Sequence, residues 1–132
     1  MSLIDDLKQQ EGFRDKPYMD TTGHSTIGYG LNLDAGISEQ EASMILEHRI
    51  GLLQYELKKR LPFWGKLDQT RQDILTNMAY NLGIKGLMEF KKTLAHIAAG
   101  EYREAADQML RSLWAKQTKG RAVKLADMMK NG

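Results

Sequence analysis

The sequence predicts an α+β fold that is predominantly helical, with a small β-hairpin near the N-terminus and helices after it. Three observations predict this. Residues 11–30, EGFRDKPYMDTTGHSTIGYG, combine four glycines with a proline and β-branched residues, the composition of a tightly bent hairpin. From residue 38 onward, apolar residues recur at three- and four-residue steps, the period of an amphipathic helix. Between the two regions, Ser38-x-x-Glu41 is a capping box heading a run long enough to link two lobes.

Each element can be justified in order. Ser2 and Asp5 form an N-terminal cap of the S-x-x-acid kind, and Leu3, Ile4 and Leu7 repeat at helical spacing. Gly12 suits the position after a helix, so a first helix over residues 3–11 ends at Glu11. Pro17 biases Lys16 toward extended backbone, which predicts a short strand over residues 18–20. A turn at residues 21–24 then leads into a second strand over residues 25–31, and residues 31–36 form either a third short strand or a loop. The capped helix follows for about twenty residues and closes before Pro62. Asp68 is the expected cap of a helix with Ile74, Leu75, Met78, Ala79 and Leu82 on its core face, ended by Gly83. A short piece over residues 84–90 and a helix over residues 91–99 come next, stopped at Gly100. Residues 102–114 read as one amphipathic helix through Ala105, Ala106, Met109, Leu110 and Leu113. A polar loop over residues 116–120 and a basic helix over residues 121–130 complete the chain. Met44, Met78, Met88, Met109, Met128 and Met129 fall on helical faces and read as core filler.

Composition narrows the function classes. The 132 residues suit one domain with an ordinary core, and the absence of cysteine excludes a disulfide framework and a thiolate metal site. No apolar run reaches the length of a membrane span, and the acidic N-terminus lacks the basic and apolar regions of a signal peptide. The net charge of +2 divides unevenly, with −6 over residues 1–47 and +8 over residues 48–132. A basic half favours a polyanionic partner, although a solvated helical surface has the same signature.

The chemistry-bearing residues concentrate in residues 11–30. Glu11 and Asp20 fall on different elements, so they can face one another across a gap, as glycoside hydrolysis requires of its two carboxyl groups. The negative end of a helix disfavours a charged carboxylate, which suits Glu11 to holding a proton for donation. A hairpin brings Thr26 near Asp20, because the two flank one turn. Other chemistries lack their motifs. His24, His48 and His96 are dispersed with no H-E-x-x-H, no G-x-S-x-G occurs, and Gly28-x-Gly30 lacks the rest of a nucleotide loop. No metal and no cofactor is expected.

Glu11-Gly12-Phe13-Arg14, Tyr18-x-Asp20-x-x-Gly23 and Thr26-Ile27-Gly28-Tyr29-Gly30 together resemble the phage-type lysozymes, the muramidase endolysins of glycoside hydrolase family 24. Similarity extends through Ile37-Ser38-x-x-Glu41-Ala42, Asn77-Met78 with Asn81-x-Gly83, Phe90-x-x-Thr93-Leu94, and Ser112-x-Trp114-x-x-Gln117-Thr118-x-x-Arg121-Ala122. The resemblance implies one lysozyme domain over residues 1–132. Its β-hairpin lobe with the long helix would cover about residues 12–60, and its helical lobe residues 61–132 together with helix 1–11. It implies cleavage of the β-1,4 bond between N-acetylmuramic acid and N-acetylglucosamine in peptidoglycan, with cell-wall lysis. Glu11 would be the general acid, while Asp20 and Thr26 would activate a water on the opposite sugar face, giving inversion. Leu31, Tyr80, Thr93 and Gln108 fall where the family lines its saccharide cleft, and Arg121 where an arginine faces the catalytic glutamate. The resemblance further implies a monomer with no nucleic-acid partner and no membrane insertion. Synthesis would be in a bacterial cytoplasm, with a separate membrane pore giving access to the wall. Leu31 stands where the family usually has histidine, and residues 32–37 are short, so the β lobe should be reduced. Two rival readings are a lytic transglycosylase, which makes an anhydro product and leaves Asp20 and Thr26 without a use, and a basic helical nucleic-acid-binding domain, which leaves residues 11–30 unexplained.

Overall fold

The computed structural model describes residues 2–132. The architecture is α+β and predominantly helical, as the sequence predicts, and the chain divides into two compact units, Met1–Ile45 and Leu46–Gly132. The boundary between them falls inside one long helix. This partition groups the first helix with the sheet, whereas the sequence reading grouped it with the later helices.

In the first unit, α1 spans Leu3–Glu11. Ser2 Oγ accepts from the Asp5 N–H at 3.1 Å, and Gly12, at φ 72°, donates its N–H back to Lys8 O. The left-handed turn at Gly12 ends the helix with Glu11 as its last residue. Three antiparallel strands follow in the order β1-β2-β3: Arg14–Met19, Ser25–Gly28 and Leu31–Asn32. Tyr18 faces Thr26 and Met19 faces Ser25 across the first pair, while Ile27 faces Leu31 across the second. Two expectations change here. The first strand begins at Arg14 rather than residue 18, with the register shifting between Arg14 and Tyr18. Pro17 is tolerated there because β1 is an edge strand and the irregular stretch needs no ladder hydrogen bond from it. The second strand stops at Gly28 rather than residue 31, because Gly28 and Gly30 at φ 66° and 73° turn the chain into β3. A 3₁₀ turn at Leu33–Ala35, begun by Asn32 Oδ1 accepting from the Asp34 N–H, replaces any longer β segment.

Helix α2 spans Glu39–Arg60. Its capping box is reciprocal: the Glu41 N–H donates to Ser38 Oγ at 3.1 Å, and the Ser38 N–H donates to Glu41 Oε1 at 2.8 Å. The Ser38 N–H holds the Glu41 carboxyl below the usual glutamate range. Leu57 is the one α2 residue that is fully buried, and Met44 is exposed, so Met44 is not core filler.

The second unit carries the hydrophobic core, built by α3 (Gln69–Met88), α4 (Lys91–Ala98), α5 (Tyr102–Leu110), α6 (Leu113–Thr118) and α7 (Gly120–Asn131). Ile74, Leu75, Met78 and Ala79 of α3 are buried as predicted, together with Leu87, Ile97, Met109, Trp114, Leu125 and Met129. At Gly83 the backbone leaves helical geometry, with φ 81° and ψ 158°, so α3 is two helical pieces joined at the predicted breakpoint. Asp68 occupies the N-cap position of α3 but makes no capping bond; its carboxylate pairs with Arg71 at 3.3 Å instead.

The helix expected over residues 102–114 is two helices. Ser112 breaks it by donating to Met109 O at 2.6 Å and accepting from the Ala115 N–H at 3.1 Å, which ends α5 and caps α6. Leu110 and Leu113 are consequently exposed rather than core. The polar loop expected over residues 116–120 is mostly helix, and Lys119, at φ 47°, makes the turn into α7. No helix among the described residues is long and apolar enough to cross a membrane.

Candidate functional site

Asp20 and Thr26 are joined through the backbone of His24. The Asp20 N–H donates to His24 O at 2.9 Å, and Thr26 Oγ1 donates to the same carbonyl at 3.0 Å. A register that sets Met19 against Ser25 makes this possible, since it leaves residues 20–24 as one closed turn. Thr26 is 3% exposed, and it is the one buried residue of the first unit among those described. A buried hydroxyl has to spend its proton, and His24 O receives it. Thr26 Oγ1 is left with acceptor lone pairs to offer a further donor.

The Asp20 carboxylate is held asymmetrically. Oδ1 accepts from the Thr22 N–H at 2.9 Å, from Thr22 Oγ1 at 2.9 Å and from the His24 N–H at 2.8 Å. Near Oδ2 stands the His24 ring, with Nδ1 3.7 Å away. The His24 backbone bond is the main force keeping the Asp20 carboxyl below the usual aspartate range. Hydrogen bonds from Thr22 and the His24 ring charge add to it against a smaller opposing effect of burial. Asp20 is therefore an ionised base near neutral pH.

Glu11 closes the other end of the sheet. Its carboxyl lies against Gly30 in the β2–β3 turn: a Cβ added at residue 30 would fall 2.8 Å from Glu11 Cδ and 3.2 Å from Cγ. Tyr29 beside it stacks on Phe13 with ring centroids 5.6 Å apart, and Lys8 Nζ lies 5.4 Å from the Tyr29 centroid. The four-residue β2 spans roughly 10 Å and separates the turn holding Asp20 from the turn touching Glu11. One carboxyl at each end of so short a strand can act on two sides of a single bond.

The remaining candidates occupy three places. Leu31 is exposed on β3, opposite Ile27. Tyr80 and Arg121 line a cavity of about 390 Å³ in the second unit with Asn77, Thr76 and Ile50. Arg121 is fixed there by two bonds to Asn77 Oδ1, from Nε at 3.0 Å and Nη2 at 2.7 Å. Thr93 and Gln108 meet in a separate cavity of about 420 Å³ rimmed by Lys91, Lys92 and Arg111. Sequence reasoning missed Thr22, His24 and Asn77 as partners of the candidate residues. The alternation Asp20-x-Thr22-x-His24 in a turn was the available signal for the first two, since short polar side chains there bond back to the turn. Asn77 belonged to the family-like run Asn77-Met78, but nothing there pointed to Arg121, because that partner lies 44 residues away.

A profile of the family described as "Phage lysozyme" matches residues 8–129. The chain is 30% identical, over 161 aligned positions, to the pre-baseplate central spike protein Gp5 of Enterobacteria phage T4; that alignment takes in 100% of this chain and 28% of the spike protein. It is 28% identical to probable T4-type lysozyme 2 of Dictyostelium discoideum and 27% identical to probable T4-type lysozyme 1 of the same organism, over 99% of this chain and 95% of each relative. The chain thus spans little more than a quarter of the spike protein and nearly all of the other two. Every one of these alignments is longer than the 132 residues of the chain, so parts of each relative have no counterpart here.

Proposed function

The chain belongs to the phage lysozyme family, a family of glycoside hydrolases, and from that premise we propose that it hydrolyses the β-1,4 bond between N-acetylmuramic acid and N-acetylglucosamine in bacterial peptidoglycan, with inversion at the anomeric carbon and lysis of the wall. The observation that carries this reading is the shared His24 carbonyl, which leaves two acceptors, Asp20 Oδ2 and Thr26 Oγ1, on one turn. A water donating to both has a lone pair free for attack, and Asp20 takes up its proton as the bond to carbon forms. Glu11, at the far end of β2, gives its proton to the glycosidic oxygen as the carbon–oxygen bond breaks. Attack and departure on opposite faces invert the centre, and the arrangement needs carboxyl groups roughly 6.5–9.5 Å apart.

In this scheme Leu31, Tyr80, Thr93, Gln108 and Arg121 bind saccharide. The basic charge of residues 48–132 supports attraction to an anionic wall. The test is turnover of purified peptidoglycan by the wild type and Glu11→Gln. The variant should lose at least about a hundredfold in kcat, as general-acid removal does. Wild-type product should carry a reducing end that appears first in the inverted, α-anomeric form by NMR. Full activity in Glu11→Gln would remove the proposed acid, and a 1,6-anhydro product in the mass spectrum would make the enzyme a transglycosylase.

A further inference from the structure

The side chains of Thr22 and His24 are not used by the scheme above, yet they form a chain of contacts that ends on Asp20. Thr22 Oγ1 lies 2.9 Å from Asp20 Oδ1 and 2.7 Å from His24 Nδ1. A hydroxyl has one proton, so it can donate to only one of these neighbours. Asp20 is ionised and has no proton to offer, so Thr22 must donate to it; two facing lone pairs at 2.9 Å would otherwise repel. The Thr22 oxygen is then an acceptor toward the ring, and His24 Nδ1 must carry a hydrogen. The tautomer is assigned from this network. The direction of the chain is His24 Nδ1–H to Thr22 Oγ1–H to Asp20 Oδ1.

Three donors on Oδ1 fill its lone pairs and fix the plane of the carboxylate, while Oδ2 has no hydrogen-bond donor among the described residues, with His24 Nδ1 3.7 Å away. We infer that Thr22 and His24 are positioning residues that lock Asp20 by one oxygen so that the other faces the reactive water. The inference rests on the reading of Asp20 as the base that holds that water. In this role neither side chain needs to touch substrate. His24 acts through Thr22, and its ring nitrogen does the work as a donor rather than as a charge. The Asp34 carboxylate, which accepts from the Ser25 N–H at 3.1 Å, is the neighbouring charged group on the segment packed against β2, and it is occupied by that bond.

Four substitutions and one reference test this on soluble peptidoglycan glycan chains. Thr22→Val keeps shape and loses the hydroxyl; His24→Phe keeps a ring and loses the donor. Each should lower kcat by about tenfold with KM within about twofold, the size of one hydrogen bond to a charged acceptor. Thr22→Ser restores the hydroxyl, and His24→Asn places an amide N–H where Nδ1–H was, so both should recover kcat to within about twofold. Thr22→Val with His24→Phe should be no worse than Thr22→Val alone, since one chain is broken once. Nitrogen NMR of the neutral His24 ring should find Nδ1 protonated in the wild type, a preference lost in Thr22→Val. Unchanged kcat in Thr22→Val and His24→Phe overturns the inference, as does a loss that Ser and Asn fail to restore or a ring protonated at Nε2. Asp20→Asn separates the two levels. If it is inactive while the Thr22 and His24 variants are normal, the positioning fails alone; if it is active, the reading of Asp20 fails as well.

Discussion

At Gly30 the backbone has φ 73°, and the Glu11 carboxyl occupies the space a side chain would need. Both facts forbid substitution, and they can be separated. Gly36 has a similar φ of 78° with nothing within 4 Å of an added Cβ, so Gly36→Ala carries only the conformational cost, about 1–3 kcal/mol. Gly30→Ala should lose a similar stability and, if Glu11 is the acid proposed above, about a hundredfold in kcat as well, since displacing a reacting group by 1 Å can have that effect. Thermal unfolding and peptidoglycan turnover measured on both variants check this; equal activity in the two would mean that Glu11 does not work from its place beside Gly30. The residue scale also fixes a pH window. Asp20 has its folded value lowered, so the stability it contributes is fully present above the ordinary aspartate range and is lost as pH falls through the lowered value. The order Glu11, Asp20, Thr26 can be read from the sequence, because residue type and spacing carry it. The single-proton constraint on Thr22 was not, since it depends on two distances that only coordinates supply.

Among the elements, helix starts were the most legible and helix interruptions the least. The N-cap at Ser2 and the capping box at Ser38 were visible because the partner lies three residues away, within reach of local reasoning. Gly83 announced its break by being glycine. Ser112 did not, because serine is common inside helices and its effect depends on which bonds it makes. It should therefore be sensitive: Ser112→Ala removes both the cap of α6 and the bond to Met109 O, and it should destabilise the protein by about 1 kcal/mol in chemical denaturation. A neutral result would mean that the α5–α6 break is imposed by packing of Trp114 alone. That ring packs edge-on against Phe90 with centroids 6.1 Å apart, and its Nε1–H donates to Asn81 Oδ1 at 2.8 Å.

Over the whole molecule, the hydrophobic core belongs to the second unit, and one cation ties distant parts of that unit together. Arg71 donates to Met129 O from Nε at 3.0 Å and from Nη2 at 2.6 Å, stacks 3.9 Å from the Tyr102 ring, and pairs with Asp68. It joins the start of α3 to the end of α7 and the start of α5, and its side chain is only 12% exposed. Arg71→Ala should reduce unfolding free energy by about 2–3 kcal/mol, the worth of charged hydrogen bonds to a carbonyl plus lost packing. Arg71→Lys should recover less than half of it, because an ammonium cannot reproduce the planar fork that both donates and stacks. Full recovery with lysine would reduce the contribution to charge alone. In sequence, Arg71 is one of 19 basic residues, with nothing to set it apart.

The sequence by itself determined the class of fold, most helix boundaries, the glycines at which the chain must turn, and the order of acid, acid and hydroxyl in residues 11–30. Those features depend on local steric and hydrogen-bonding rules that act within a few residues. Tertiary structure alone decided the rest. It set Glu11 against Gly30 and grouped Tyr80 with Arg121 apart from Thr93 with Gln108, while within one turn only the atomic placement showed that Asp20 and Thr26 share an acceptor and that His24 faces Thr22. The reason is geometric. Each of these pairings turns on the relative placement of atoms to a fraction of an ångström, and in most cases on bringing together segments far apart in the chain, whereas spacing in a sequence fixes only which residues are near along it.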